Sequence, residues 1–241
     1  MNKEVWFTSM RDVMKESYQQ LYEHSLGERN PGILPTGLPD LDDIVGGFHR
    51  GTLTVIAGRP SSGKTTLLLN IVEYLALREN ACIAVCSTEL SYREYGIRHI
   101  ASAGSLRFNA LCAGRIDHEH WPKITRAVTS MCETRVFLNS SPTLDMDALC
   151  AGITRICHDQ GCDLVIIDSL QQVRWPQTGN ERRDGMRALA ARLKQLACDL
   201  NIALVVSCGL PAFVDMRANK IPVLADLGDW QAFEDYADTS C

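Results

Sequence analysis

The chain has 241 residues, 46% hydrophobic and 22% charged, which suits one α/β domain with a short appendage and a core of useful size. A net charge of −5 excludes a protein that coats duplex DNA over its whole surface, yet permits a local basic loop or pore. No apolar run approaches the roughly 20 residues of a membrane helix, and Met1–Trp6 carries an acid but no apolar signal stretch, which predicts a cytoplasmic protein without membrane contact.

Residues Val5–Leu26 read as one amphipathic helix. Trp6, Met10, Val13, Met14, Tyr18, Leu21 and Tyr22 recur at steps of three and four, with Arg11, Lys15, Glu16 and Gln19 between them. Gly27–Gly32 then carries breaker residues, so residues 1–30 are expected to be a helix and hinge, and residues 31–241 the domain proper. The apolar face of this helix must be covered, either by its own domain or by a neighbouring subunit.

Beyond Gly51 the pattern alternates. Short apolar runs at Leu53–Ala57, Ile83–Cys86, Val136–Leu138, Leu164–Ile167 and Ala203–Val206 predict buried strands. Helical stretches fall near Thr65–Leu77, Tyr92–Ser102, His118–Cys132, Met146–His158 and Arg182–Leu200. Strand and helix in alternation imply a mostly parallel sheet flanked by helices, an α/β fold. Among the ten cysteines, Cys82, Cys86, Cys150, Cys157 and Cys198 lie in apolar runs and read as small buried hydrophobes. No C-x2-C pair occurs, and the spacing of Cys157 and Cys162 is too loose for a zinc site.

One motif carries strong chemistry. Gly58-Arg59-Pro60-Ser61-Ser62-Gly63-Lys64-Thr65 fits G-x4-G-K-[ST] in full, with a predicted strand before it and a helix, opening at Thr66, after it. Such a loop curls its backbone N–H groups around phosphate oxygens, and the helix adds its positive end. ATP with Mg2+ is therefore the expected cofactor, with Lys64 on the β- and γ-phosphates and the Thr65 hydroxyl on the metal. Asp168 ends a strand-like run and is the second candidate metal ligand. Glu89 lies two residues past another strand; it is either a general base for the attacking water or an acid that favours the following helix dipole.

Several segments together resemble the C-terminal motor domain of DnaB-like replicative helicases: Thr36–Asp42 with Gly46-Gly47-Phe48, the Arg59-Pro60-Ser61 loop, Ser87–Ser91, Ile167–Gln171 and Arg192–Ala197. The likeness runs from about Thr36 to Asp238, and the preceding helix resembles that family's linker helix, which docks on a neighbouring subunit. The resemblance implies a RecA-like P-loop NTPase fold and a homo-oligomer, as a ring (hexameric in form) or a filament. It also implies ATP hydrolysis coupled to single-stranded DNA, a replication protein partner, and Glu89 as catalytic base. It further implies that the loop Thr178–Arg183 faces DNA, with Gly179, Asn180, Arg182 and Arg183 as contacts; read without the family, those residues are a solvated, charged helix start.

Departures from the family pattern stand beside the matches. The chain begins at the linker helix and ends at Cys241, where the family adds further strands. Ser207-Cys208-Gly209-Leu210 lacks the glutamine of the family's γ-phosphate sensor, and Gly228 occupies the position of its arginine finger, with Arg217 and Lys220 nearby. Two readings follow: an ATP-driven helicase or translocase, or an ATP-binding module of the same fold that loads, caps or regulates a helicase.

Overall fold

All five apolar runs form strands, and each extends one to three residues beyond its predicted carboxyl end. The computed structural model describes residues 7–26, 32–174, 182–211, 214 and 221–240. In chain order, the main strands are β3 (Leu53–Gly58), β4 (Ile83–Ser87), β5 (Val136–Ser140), β7 (Leu164–Asp168) and β9 (Ala203–Gly209). Shorter strands are β1 (Ile33–Leu34), β2 (Phe48–His49), β6 (Leu144–Asp145), β8 (Val173–Arg174) and β10 (Thr239–Ser240). The central sheet has the order β10-β3-β9-β7-β4-β5 and is parallel throughout.

Helices cover both faces, and this explains why the strands read as continuous apolar runs rather than as alternating ones. On β7, Val165 and Ile167 face a core built with Leu149 and Ile153 of α7 (Met146–Gln160) and Leu189 and Leu193 of α8 (Arg182–Leu200). Leu164 and Ile166 face the opposite core, with Leu68, Ile71, Val72 and Leu75 of α3 (Lys64–Arg78) and Tyr95 of α4 (Tyr92–Ala103). Local signals set the helix ends. The Ser91 side chain accepts from the Glu94 N–H at the start of α4, and Asp145 accepts from Asp147 and Ala148 at the start of α7. The described residues also form α2 (Pro39–Val45), α5 (Phe108–Cys112) and α6 (Trp121–Cys132).

The lead-in segment is pinned to α3. Gly37 has φ +79°, and a Cβ there would lie 2.3 Å from Cγ of Tyr74. Thr36 is buried, and its N–H donates to Asp42 at 2.7 Å. Near the far end of the chain, Asp238 accepts from the Leu53 N–H at 2.8 Å and pairs with Lys194, which sets β10 beside β3.

Two expectations need correction. The first helix, α1, spans Met10–Ser25 rather than starting at Val5: the Ser9 hydroxyl accepts from the Asp12 N–H at 3.2 Å and opens the helix there. Residues 1–6 and the hinge 27–31 lie outside the described residues. Cys198 is exposed on α8, with its thiol against the Gly51 carbonyl, because the apolar stripe of that helix passes through Leu193 and Ala197 instead. The apolar face of α1 has no cover within the described residues: Met10, Met14, Tyr18 and Leu21 are each at least 59% exposed.

Ile166 is fully buried in the middle strand of the sheet. Ile166→Ala is expected to destabilise the fold by about 2–5 kcal/mol, read as a lowered denaturation midpoint with an unchanged slope.

Candidate nucleotide-binding site

Because the central strands are parallel, their carboxyl ends share one edge, where open α/β sheets bind ligands. The phosphate loop leaves that edge from β3. Gly58 closes the strand, and a Cβ on it would meet the Ser62 hydroxyl at 2.6 Å and the Lys64 stem at 3.2 Å, so a side chain there would crowd both. Arg59 donates to the Leu210 carbonyl at 3.1 Å, tying the loop to the end of β9. Beyond Pro60, the Ser62 N–H returns to the Arg59 carbonyl at 3.1 Å, and Ser61 and Gly63 take φ values of 61° and 96°. Lys64, Thr65 and Thr66 then form the first turn of α3, whose N–H groups have no carbonyl partners within the helix. The Lys64 ammonium folds over the loop and donates to the carbonyls of Gly58 and Arg59 at 3.0 and 3.1 Å.

Asp168 ends β7, on the far side of β9 from β3, and is 4% exposed. Ser207 of β9 donates to its Oδ1 at 2.5 Å, and the Thr65 side chain stands near enough to act on the same carboxylate. Burial raises the Asp168 pKa above its usual value; the hydrogen bonds from Ser207 and Thr65 oppose that shift, the charge of Glu89 adds to it, and the charge of Lys64 opposes it. All four groups therefore act on one carboxylate. Glu89 lies two residues past β4, exposed, and accepts from the Ser169 hydroxyl at 2.9 Å. Thr88 and Ser169 exchange hydrogen bonds of 3.0 and 3.1 Å, locking the tips of β4 and β7 together. Buried Tyr95 lies beneath, its hydroxyl pKa pushed up by burial and by the Asp168 charge.

The structure thus brings Lys64, Thr65, Asp168 and Glu89 to a single edge. Of the DNA-facing candidates, Gly179 and Asn180 lie outside the described residues; Arg182 and Arg183 open α8, but their side chains are likewise undescribed. Arg217 and Lys220 are outside as well. Gly228 has φ 59° and ψ −120°, a conformation strained for any residue with a Cβ, and a Cβ there would face Pro211. Ser207 and Ser169 are partners of the two acids that the sequence does not single out. Ser169 directly follows Asp168 and is open to that reading; Ser207 is brought in only by the pairing of β7 with β9.

A curled glycine loop at a strand tip, a lysine at the helix start and a buried acid on a nearby strand define a RecA-like P-loop domain. The profile of the family described as "DnaB-like helicase C terminal domain" matches residues 33–241, and the chain belongs to that family. It is 28% identical over 235 residues to a protein of Geobacillus stearothermophilus named replicative DNA helicase DnaB, covering 96% of this chain and 51% of that one. A probable replicative DNA helicase of Guillardia theta is 31% identical, with 94% and 37% of the two chains covered. The chain thus spans about half, or less, of the length of these relatives. Among solved structures, a DnaB-like replicative helicase studied with primase superposes with a TM-score of 0.83 at 23% identity, over 97% of this chain and 56% of that one. A second, described as an ATPase domain, gives 0.86 at 23% identity, over 97% and 82%.

The raised Asp168 pKa sets a pH dependence. A carboxyl whose pKa rises on folding favours the folded state while protonated; that contribution is present below 3.8 and is lost as pH climbs through the raised value. Asp168→Asn is accordingly expected to raise the Tm of the nucleotide-free, magnesium-free protein at about pH 7.5. The gain should shrink towards about pH 4, as followed by differential scanning fluorimetry.

Proposed function

We propose that this chain binds ATP with Mg2+ at the β3–α3 loop and hydrolyses it as the motor domain of a DnaB-like helicase or translocase on single-stranded DNA. One observation carries the reading: Lys64 folds over the phosphate loop, and Asp168 and Glu89, held by Ser207 and Ser169, stand at the same edge of the sheet. The set fits the group it would hold. Residues Gly58 to Thr66 supply the phosphate cradle, with Lys64 offering its ammonium to the β- and γ-phosphates. Thr65 and Asp168 provide two oxygens on one side for the divalent ion, which supplies Lewis-acid stabilisation when bound. Glu89, oriented by Ser169, is positioned to accept the proton of the attacking water.

The rest of the reading rests on family and surface. Residues 1–30 form the linker unit and 31–241 the ATPase domain. The uncovered face of α1 supports docking on a second copy, in a ring that is hexameric if it closes as the family resemblance implies. Gly179, Asn180, Arg182 and Arg183 are proposed to meet the DNA backbone. A replication protein partner, of the kind that primase is for the solved relative, and a cytoplasmic location complete the picture.

A second reading has its own observation. The backbone at Gly228 would be strained by an arginine in the place where the family resemblance puts the finger, and a finger is worth about 10³–10⁵ in turnover. An ATP-binding module that loads, caps or regulates a helicase would not need it.

Turnover separates the two. ATP hydrolysis stimulated by single-stranded DNA is expected, with Glu89→Gln lowering kcat by about 10²–10⁴ while nucleotide binding persists, and Lys64→Ala losing binding. Tight ATP binding with negligible turnover, with and without DNA, would end the motor reading. Deleting residues 1–26 should reduce the mass seen by light scattering to that of a monomer. An unchanged mass removes the docking role of α1.

A further inference from the structure

Gly58 and Gly209 are register partners at the ends of β3 and β9, so side chains at the two positions would leave the same face of the sheet about 5 Å apart. At Gly58 that direction leads to the phosphate lysine: a Cβ would lie 3.2 Å from Cγ of Lys64. At Gly209 it leads to the side-chain amide of Gln171, whose Nε2 stands 2.4 Å from the place a Cβ would take. The carboxamide therefore fills the space of a missing side chain, on the sheet face that Gly58 turns towards Lys64. Two further facts fix the location. Ser207, two residues earlier on β9 and on the same face, reaches Asp168. The charge of Lys64 also acts on Cys208, whose thiol is otherwise pushed up to about 12 by burial.

Gln171 is held from both sides. It lies in the turn Leu170–Gln172 that follows Asp168, between Leu170 and Val173, both buried, while its own side chain is exposed. No hydrogen bond occupies its amide among the described residues. A neutral NH2 donor, anchored at its root, free at its tip and on the sheet face where the phosphate-loop lysine lies, suits an anionic oxygen that arrives at that edge.

We propose that the Gln171 carboxamide donates to the terminal phosphate of a bound nucleoside triphosphate, and that Gly209 lacks a side chain so that this amide can be there. The proposal rests on the nucleotide-binding reading of the loop and adds the residue by which the site distinguishes triphosphate from diphosphate. Gln171 then reports on the outermost phosphate, and loss of that phosphate frees the turn that follows Asp168.

The test is calorimetric titration with Mg·AMP-PNP and Mg·ADP. Gln171→Ala should weaken the triphosphate analogue about tenfold or more, as expected for losing a hydrogen bond to a charged group, and leave ADP within about twofold. Gly209→Ala should act in the same way, since its methyl displaces only the mobile end of Gln171, and the double variant should be no worse than either single one. Gln171→Glu, which replaces the donor by a second negative charge, should lose more than the alanine variant. Gln171 is exposed, so Tm should not move in Gln171→Ala; if Gly209→Ala fails to fold, the two Gln171 variants still decide. An unchanged ratio of the two affinities in Gln171→Ala overturns the proposal and leaves the site reading intact. Equal affinity of the intact chain for both nucleotides overturns it too. Failure of the intact chain to bind either nucleotide overturns the site reading and this proposal together.

Discussion

Everything at the functional edge depends on a buried carboxylate that cannot be left alone. Asp168 is almost wholly withdrawn from water at the tip of β7, and an ionised group in that setting is costly unless donors and cations surround it. The parallel register supplies them. β9, lying between β3 and β7, delivers the Ser207 hydroxyl; the start of α3 delivers Thr65 and Lys64. The surroundings that make Asp168 tolerable are also those that would make it useful to a divalent ion. Even so they compensate only in part, since its pKa stays raised.

Much of the fold is legible in the residues alone. Leu164–Ile167 reads as a strand buried on both faces because four consecutive apolar residues, three of them β-branched, have no polar alternation, and the structure gives each of them a core neighbour. The loop Gly58–Thr65 is legible because its glycines answer to local geometry, which any chain carrying the motif must satisfy. Other features have no local signature. β10 pairs through two residues and is held by Lys194 and Asp238, a contact between distant segments. Ser207 acquires its partner from strand order, and Gln171 its place from a glycine on another strand, neither of which leaves a periodic trace. The start of α1 slipped because Ser9 ends the helix more firmly than Trp6 extends it.

The two functional readings part at the chain's later segments rather than at its phosphate loop. The proposed cradle, metal side and base stand together at one edge of the sheet. By contrast, the stretch around Gly228 is built on a backbone conformation that only glycine adopts readily, with Asp226 turned back onto the Val223 N–H at 2.8 Å. The proposed binding chemistry and the segment that the resemblance assigns to stimulation across subunits thus occupy separable parts of the fold. One can persist while the other changes.

The contact between Gly37 and Tyr74 bears on how force would travel. With the ring of Tyr74 seated directly on the Gly37 backbone, the lead-in segment and α3 have no slack between them. That junction ties the lead-in segment to the helix whose first residue is Lys64. A displacement of the lead-in segment would therefore bear first on the helix that opens the proposed phosphate site.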